Sequence, residues 1–250
     1  MARRPGGLRL HRESHGEGPP IVLTHGFGAT CRMWDEQIEE FTNRFRLIPW
    51  DLPGHGASSL SRDPGAYTPG AAVDFMRTLA GETPPAILIG LGVGGALSLR
   101  LWRTHRASVR AMILIGTVPG LRTGLTRDIG NARADMLAAA LEQDGLDALD
   151  GGAEVDPRLH ADAQGLAMAA RGLLRQTDEG ALAFLPEIDV PVLILTGGDD
   201  KPSLTAAHYM ARTIPGARLS IVARANHAVT MHKPGPANAA IGDFLSKLPP

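Results

Sequence analysis

The sequence predicts an open, doubly wound α/β fold with a mostly parallel sheet and one helical insertion. Short runs of apolar residues alternate with helical patterns along most of the 250 residues. The runs are apolar on both faces, which is typical of parallel strands covered by helices on both sides. One long segment breaks this alternation, and glycine-rich or polar turns follow several of the runs.

Six apolar runs are interpreted as strands, and helical spacing fills most of the intervals between them. The predicted strands span residues 21–23, 45–50, 86–90, 111–115, 192–195 and 219–222. The predicted helices span residues 34–41, 71–79, 93–104, 204–214 and 237–247. Regular strand–helix alternation of this kind predicts a single sheet with helices on both faces.

The exception lies at residues 119–186, which we name the cap segment. It contains no convincing strand pattern, and helical spacing recurs at residues 134–149 and 159–174. Prolines mark both of its ends, at Pro119 and Pro186. We therefore predict a core formed by residues 1–118 and 187–250, with a helical cap inserted at 119–186.

Composition and charge exclude several classes of partner. The formal net charge is −1, and 44% of the residues are hydrophobic, so neither nucleic acid nor a membrane surface is expected as a partner. No apolar stretch reaches the roughly 20 residues that a membrane span needs, and the N-terminus does not resemble a secretory signal. The one basic cluster is interpreted as a solvated helix end, and it comprises Arg100, Arg103, His105, Arg106 and Arg110.

Cysteine usage indicates the compartment. Cys31 is the single cysteine, so an intrachain disulfide is impossible and a reducing environment suits the chain. We therefore expect a cytoplasmic protein. The sequence carries no signal for an oligomeric state.

Ligands of open α/β sheets bind beyond the carboxyl ends of the strands, so the turns after the runs are the candidate positions for a site. The first run ends at His25-Gly26-Phe27-Gly28, where a backbone N–H could donate to a developing oxyanion, although a plain turn would have the same sequence. The second run ends in a tight turn at residues 51–58 that we interpret as structural. Asp51 and His55 within it have no second ligand pair at metal-binding spacing.

The third run ends in Gly90-Leu91-Gly92-Val93-Gly94-Gly95 and leads directly into a helix. A dinucleotide-binding turn, G-x-G-x-x-G, is one interpretation, but it belongs after a first strand and needs an acid about 20 residues later. No acidic residue occurs between Glu82 and Asp128. The second interpretation, a nucleophile elbow of the form G-x-S-x-G, fits the strand–turn–helix setting. Its central position is then Gly92, which lacks a nucleophilic side chain.

An acid and a histidine follow the last two runs. Asp199 and Asp200 come after the fifth run, and His227 comes after the sixth. The chain order is therefore nucleophile position, acid, base, as in hydrolytic triads on α/β sheets. Three such features at three strand ends outweigh the default interpretation of His227 as an ordinary loop residue.

Together these motifs resemble the α/β-hydrolase superfamily, in particular the small esterases, lactonases and C–C hydrolases that carry a helical cap. The resemblance extends over nearly the whole chain. It implies that Asp200 is the triad acid, His227 the base, and the N–H groups of Phe27 and Val93 the oxyanion hole. Asp200 is preferred to Asp199 because the family usually places its acid three residues after the glycine that Gly197 matches.

The chain departs from the pattern of this superfamily at three positions. Leu91 stands where many relatives have a polar or aromatic residue, and His232 stands where many have an acid. The largest departure is Gly92, which cannot attack a carbonyl and so excludes covalent catalysis at the elbow unless another residue substitutes. Ser98 and Cys31 are weak substitutes, because neither lies at the elbow.

Three explanations of Gly92 remain open: an inactivated variant, a non-catalytic protein that binds a ligand, or an enzyme that uses His227 and Asp200 without a covalent step. We expect an enzyme that acts on a small organic ester, lactone or other carbonyl compound. A cofactor-free lyase or oxygenase with the same dyad is an alternative.

Trp34 and Leu91 are weaker candidates for substrate contact. No metal or organic cofactor is expected, since the histidines show no ligand spacing.

Overall fold

The computed structural model describes residues 8–79 and 85–249 and contains a six-stranded sheet in which every pairing is parallel. The strand order is β2-β1-β3-β4-β5-β6. The strands are β1 (Pro20–Thr24), β2 (Arg46–Trp50), β3 (Ala86–Leu91), β4 (Val109–Ile115), β5 (Val192–Gly197) and β6 (Arg218–Val222). The predicted fold class is confirmed, and each predicted strand is present with its ends moved by a few residues at most.

The order of the strands reverses between β1 and β3. The chain runs from β1 outward to β2 and then returns past β1 to β3, with Thr24 paired to Gly90 at the carboxyl end of the two neighbours. The turns after β1 and β3 therefore leave the sheet side by side. In open α/β sheets this switch point is where ligands bind.

Eight α-helices lie in the described part of the chain. They are α1 (Asp35–Phe41), α2 (Pro69–Leu79), α3 (Val93–Thr104), α4 (Leu125–Asp144), α5 (Ala163–Ala169), α6 (Lys201–Thr213), α7 (Val229–His232) and α8 (Pro234–Ser246). A π-helical turn, Ala170–Leu174, follows α5 directly. In the described ranges, we find no helix with the length and apolarity that crossing a bilayer demands.

The core consists of two apolar layers, one on each face of the sheet. Successive strand residues enter opposite layers, as Ile87 and Leu88 do, because side chains alternate across a strand. One layer includes residues of α2, α3 and α6, and the other includes residues of α1 and α8. Helices therefore cover both faces and leave the carboxyl edge of the sheet for the turns.

The cap segment forms a small apolar cluster of its own, which comprises Ala138, Leu141, Leu166, Ala167 and Ala170. The helices α4 and α5 supply most of it, and they lie between β4 and β5 in the chain. Helix α4 begins at Leu125, whereas the spacing predicted a start at residue 134. Its early turns expose Leu125 and Ile129 to solvent and so lack the buried apolar stripe that reveals a helix in sequence.

Acidic side chains partner much of the basic cluster at the end of α3. Arg100 lies 2.9 Å from Asp178, while Arg103 and Arg106 both pair with Glu187, at 2.5 and 2.7 Å. These pairs are exposed, so solvent screens them and each contributes little to stability. They tie the end of α3 to the returning end of the cap segment and neutralise part of the positive charge there.

Candidate active site

His227 and Asp200 lie together at the carboxyl edge of the sheet. Asp200 follows β5 and His227 follows β6, and His227 Nδ1 is 2.7 Å from Asp200 Oδ2. The Asp200 side chain is 9% exposed, whereas that of His227 is 41% exposed. Since a carboxylate only accepts, Nδ1 carries the proton of this bond, and Nε2 is left as a lone pair in the neutral ring.

The start of α6 holds the carboxylate of Asp200 in place. Asp200 is the N-cap residue, and its Oδ1 accepts from the Ser203 N–H at 3.4 Å. The positive end of the helix dipole favours the negative charge at this position. Ser203 Oγ donates to the Gly116 carbonyl at 3.2 Å and also lies 3.4 Å from His227 Nδ1. Ser203 therefore contacts both members of the dyad.

His232 braces the loop that carries His227. Its Nδ1 accepts from the backbone N–H of Asn226 at 3.1 Å, and the Val229 N–H donates to the His227 carbonyl at 2.9 Å. An acid at position 232 would also accept from that N–H. The imidazole thus supplies an acceptor at this position.

Gly92 lies between β3 and α3 with φ 53° and ψ −112°. A Cβ built on Gly92 would lie 3.3 Å from His227 Nε2, so a side chain at this position would face the lone pair of the base. Non-glycine residues adopt such a backbone conformation at a cost of about 1–3 kcal/mol. The Gly92 N–H donates to the Ile115 carbonyl at 2.9 Å, which anchors the turn to β4.

The two proposed oxyanion donors lie on neighbouring turns. Val93 is the first residue of α3, so its N–H is one of those that no carbonyl of the same helix can accept. Phe27 lies in the turn after β1, and no acceptor for its N–H is found within the described ranges. Because Thr24 and Gly90 are paired, these turns start from adjacent strand ends.

A cavity of about 480 Å³ opens at the dyad. Its lining is mostly apolar or small and comes from both the core and the cap segment. The lining residues are Gly92, Val93, Ala96, Gly116, Val118, Leu173, Leu174, Gln176, Asp200, Pro202, Ser203 and His227. Phe27 lies outside this lining. Gly92, Asp200 and His227 thus border, together with Val93, one space of a size that suits a small organic molecule.

Trp34 and Leu91 do not contact this cavity, which corrects the expectation that they touch the substrate. Both side chains are 0% exposed and belong to the apolar layer that includes residues of α1 and α8. Leu91 is the last residue of β3 and packs against Gly26, whereas Gly92 lies beyond the strand in the turn that borders the cavity.

The residues considered as alternative chemical groups have local structural partners. The Asp51 carboxylate accepts from the N–H groups of Cys31 and Ala57, at 2.7 and 2.9 Å, and so braces its own turn. Ser98 Oγ donates to the Gly94 carbonyl at 3.0 Å. Burial and the neighbouring Asp51 carboxylate raise the pKa of the Cys31 thiol. A thiol held protonated in this way is a poor nucleophile.

One group of side chains has the composition of a metal site, and residue spacing did not reveal it. The potential ligand atoms of His11, Glu13 and Cys31 lie within 4.8 Å of one another. Arg32 forms an ion pair with Glu13, however, and the raised pKa of the Cys31 thiol opposes the thiolate that a metal requires. This donor set therefore does not favour a cation.

Sequence reasoning missed Ser203, Gly116 and the cap residues of the cavity. Gly116 directly follows β4, so the turn after the fourth strand held a signal that was not used. Ser203 lies three residues after Asp200, where an N-capping carboxylate reaches a backbone N–H. Leu173, Leu174 and Gln176 have no such signal, because only the folding of the cap segment over the sheet brings them to the dyad.

The sequence and the fold were compared with known proteins. A profile of the alpha/beta hydrolase family matches residues 21–240. A pimeloyl-[acyl-carrier protein] methyl ester esterase of Chromobacterium violaceum is 30% identical, with 88% of this chain and 92% of the relative covered. A Bacillus subtilis protein, whose name provisionally assigns it as a 2-succinyl-6-hydroxy-2,4-cyclohexadiene-1-carboxylate synthase, is 26% identical, with 93% of each chain covered.

The solved structures include a similar enzyme. A thermophilic esterase from Thermogutta terrifontis, crystallised with malate, superimposes with a TM-score of 0.85 and 28% identity, covering 98% of this chain and 95% of the other. The family profile spans most of the chain, including the strand ends that carry Gly92, Asp200 and His227. The chain belongs to the alpha/beta hydrolase family.

Proposed function

We propose that this protein is an enzyme that acts on a small organic ester, lactone or other carbonyl compound, with His227 and Asp200 as a general-base dyad. One observation carries the proposal: the Nδ1–Oδ2 contact of 2.7 Å leaves His227 Nε2 facing the position 3.3 Å away where a Gly92 side chain would begin. A lone pair aimed at that position is poised to take a proton from a molecule bound there.

In the proposed mechanism a water molecule above Gly92 is the nucleophile. His227 Nε2 removes a proton as the water oxygen attacks the carbonyl carbon, and Asp200 stabilises the imidazolium that forms. The N–H groups of Phe27 and Val93 stabilise the oxyanion. The imidazolium then returns the proton to the leaving group. No acyl-enzyme is formed, because Gly92 offers no atom to carry it.

The composition of the cavity supports a substrate with an apolar part. Val93, Val118, Leu173 and Leu174 contribute hydrocarbon surface, and Gln176 adds a polar group at the same wall. An ester or lactone carbonyl with an apolar acyl chain suits such a lining. The relatives named as a methyl ester esterase and as a thermophilic esterase support the same class of substrate.

A second candidate is cofactor-free lyase or oxygenase chemistry with the same dyad. The observation that favours it is Gly92 itself, since a base without a nucleophile suits the removal of a proton from an acidic C–H or hydroxyl group. One relative is named as a synthase, which supports a reaction other than hydrolysis as a candidate. Binding without catalysis is the third interpretation.

The first experiment compares turnover of a panel of activated esters and lactones by the natural chain, Gly92→Ser and His227→Ala. His208→Ala is the control, because His208 is an exposed histidine on α6. We expect slow turnover by the natural chain, loss of that turnover in His227→Ala, and no change in His208→Ala. In Gly92→Ser we expect a gain on the order of 10³-fold, since a triad nucleophile contributes at least that much in related sites.

The outcomes separate the candidates. A gain with serine means that the site is built for esters and lacks only its nucleophile. No gain with serine, together with activity on ionisable non-ester substrates that His227→Ala abolishes, favours the lyase or oxygenase. Turnover that survives in His227→Ala contradicts the proposed dyad.

A further inference from the structure

Three buried imidazole rings lie against the turn that carries Phe27. His25 and His55 are 0% exposed and His160 is 6% exposed. The ring centroids of His25 and His55 are 5.1 Å apart, and those of His55 and His160 are 5.8 Å apart. The Phe27 ring meets His55 edge-on at 4.9 Å. Three buried titratable groups are thus packed against one another next to the residue that carries the proposed oxyanion donor.

Of these three histidines, His160 is the one that the cap segment supplies. Its Nε2 lies 2.8 Å from the carbonyl oxygen of Gly28, the residue after Phe27, and its Nδ1 lies 3.1 Å from the N–H of Gly56. A carbonyl only accepts and an N–H only donates, so Nε2 must carry the proton and Nδ1 must not. The two bonds therefore select one neutral tautomer of His160.

Other cap residues cover the same turn. Gly28 has φ +77°, and a Cβ built on it would lie 3.3 Å from Val155 Cγ2 and 3.7 Å from Leu149 Cδ2. Phe27 packs against the apolar cluster of the cap segment as well as against the core. The cap segment is therefore seated on the turn at residues 25–28 by apolar contacts, and His160 adds the directional hydrogen bonds.

We propose that His160 is a positioning residue, which ties the cap segment to the turn that carries Phe27 and so fixes the oxyanion donor only while the cap is seated. This inference rests on the proposed function for the part that Phe27 plays. The Gly28 carbonyl lies two peptide units after the Phe27 N–H in the same short turn, so rotation of this turn moves both. The bond from His160 opposes such rotation.

Protonation would break this arrangement. A second proton on Nδ1 would point at the Gly56 N–H, and two donors would then face each other.

The ionisable groups near His160 are His25 and His55, the carboxyl group of Asp51, and the carboxyl group of Asp156 on the neighbouring loop. Both carboxylates have other partners: Asp51 accepts two backbone N–H groups, and Asp156 binds Arg158. Burial is the main cause that lowers the pKa of His160, so the neutral form prevails near pH 7.

Two substitutions separate the two hydrogen bonds of His160. The amide of His160→Gln reaches the place of Nε2 and can donate to Gly28, whereas the amide of His160→Asn reaches the place of Nδ1 and can accept from Gly56. We expect kcat to fall by about tenfold to a hundredfold in His160→Asn and to stay within about threefold in His160→Gln, because small displacements of a catalytic group have effects of that size. KM should change less than kcat in both.

Leu141→Ala is the matched control. Leu141 is 1% exposed within the cap cluster, so its truncation destabilises that cluster without removing either hydrogen bond of His160. A loss of kcat in Leu141→Ala equal to that in His160→Asn would overturn the proposal, since general loosening of the cap would then explain both.

An NMR measurement tests the inference independently of turnover. Burial lowers the pKa of His160 below the ordinary 6.5, so the protection of the Gly56 amide from hydrogen exchange should fall by about tenfold only as the pH is lowered well below 6.5 and His160 is protonated. In His160→Asn this protection should change less with pH than in the natural chain, because only His25 and His55 then remain to be protonated. The Phe27 amide resonance should move in His160→Asn and keep its position in His160→Gln.

These readouts distinguish the two possible failures. If no variant turns over any substrate but the Phe27 and Gly56 signals behave as described, the proposed function is wrong and the positioning of the turn by His160 stands. If the Phe27 resonance is the same in all variants, or if kcat in His160→Asn equals that of the natural chain, His160 is only a structural contact and the inference is overturned.

Discussion

At the scale of single residues, Gly92 has no nucleophilic side chain, and its backbone adopts a conformation that favours glycine. Its φ of 53° lies in the left-handed region, where glycine is free of the strain that a side chain meets. A nucleophile at this position would have to tolerate that strain. Glycine at position 92 therefore favours the stability of this turn, and under the proposed function it leaves no atom for covalent catalysis.

Gly92→Ala is expected to lower the free energy of unfolding by about 1–3 kcal/mol, because alanine must adopt the strained backbone and its Cβ lies 3.3 Å from His227 Nε2. Denaturant unfolding measures this change. Gly145→Ala is the control: Gly145 has φ +70° and nothing within 4 Å of its Cβ position, so it reports strain alone. A Gly92→Ala variant as stable as the natural chain would contradict the assigned conformation.

The correction of Trp34 and Leu91 also belongs to this scale. Both lie next to functional turns in sequence, and proximity in sequence suggested contact with the substrate. Side-chain direction decides the matter instead, since Leu91 enters the layer opposite the cavity and Trp34 is completely enclosed.

At the scale of elements, the close approach of α3 to the sheet sets the position of the elbow. A Cβ on Gly94 would overlap the backbone carbonyls of Thr24 and His25, and a Cβ on Gly95 would overlap the Thr117 side chain. The glycines that follow the elbow thus allow α3 to begin against the ends of β1 and β4.

This difference between backbone and side-chain neighbours predicts a double-mutant result. Gly95→Ala should destabilise the protein by about 1–3 kcal/mol through overpacking, and Thr117→Ala should recover part of that loss by removing the hydroxyl and methyl groups. Gly94→Ala should not be rescued by Thr117→Ala, because its obstacles are backbone atoms. Thermal or denaturant unfolding of the three single and two double variants checks this, and equal rescue of both glycine substitutions would refute it.

The elements of the core were easier to predict than those of the cap segment. Helix α3 begins and ends at the predicted residues because a strand–turn–helix motif marks its start and an apolar stripe marks its length. The pattern over residues 159–174 instead divides into α5 and a π-helical turn, and α5 begins only after Asp162, whose side chain accepts from the Gln164 N–H. Small residues give the cap segment a weak apolar period, so its helix ends depend on caps and contacts.

At the scale of the whole molecule, buried neutral histidines make stability depend on pH. Burial lowers the pKa of His25 from its ordinary 6.5 to about 4, and burial also lowers the pKa values of His55 and His160. The unfolded chain therefore binds more protons than the folded chain between these values, and stability rises with pH across that range. The stabilisation is complete above about pH 6.5 and is lost as the pH falls towards 4.

We expect the free energy of unfolding to fall by at least on the order of 3 kcal/mol between pH 7 and pH 4, which is what the shift of His25 alone corresponds to. Urea unfolding at a series of pH values measures this. His160→Gln should reduce the slope because it removes one of the buried groups, whereas the exposed His208→Gln should not. A stability that is constant from pH 7 to pH 4 would contradict the burial of three neutral imidazoles.

The sequence alone determined the fold class and the order of the polar turns along the chain, and it predicted Gly92, Asp200 and His227 as the elbow, acid and base positions, roles that stay predictions. It could do so because apolar runs, glycine turns and polar residues at strand ends are local signals, and because parallel strands bring all carboxyl ends to one edge. Only the tertiary structure decided which side chains share the cavity. Leu173, Leu174, Gln176 and Ser203 reach the dyad, and His160 reaches the turn of Phe27, through contacts between segments far apart in the chain. Such contacts depend on the direction of each side chain and on how the cap segment packs, which residue order does not encode locally.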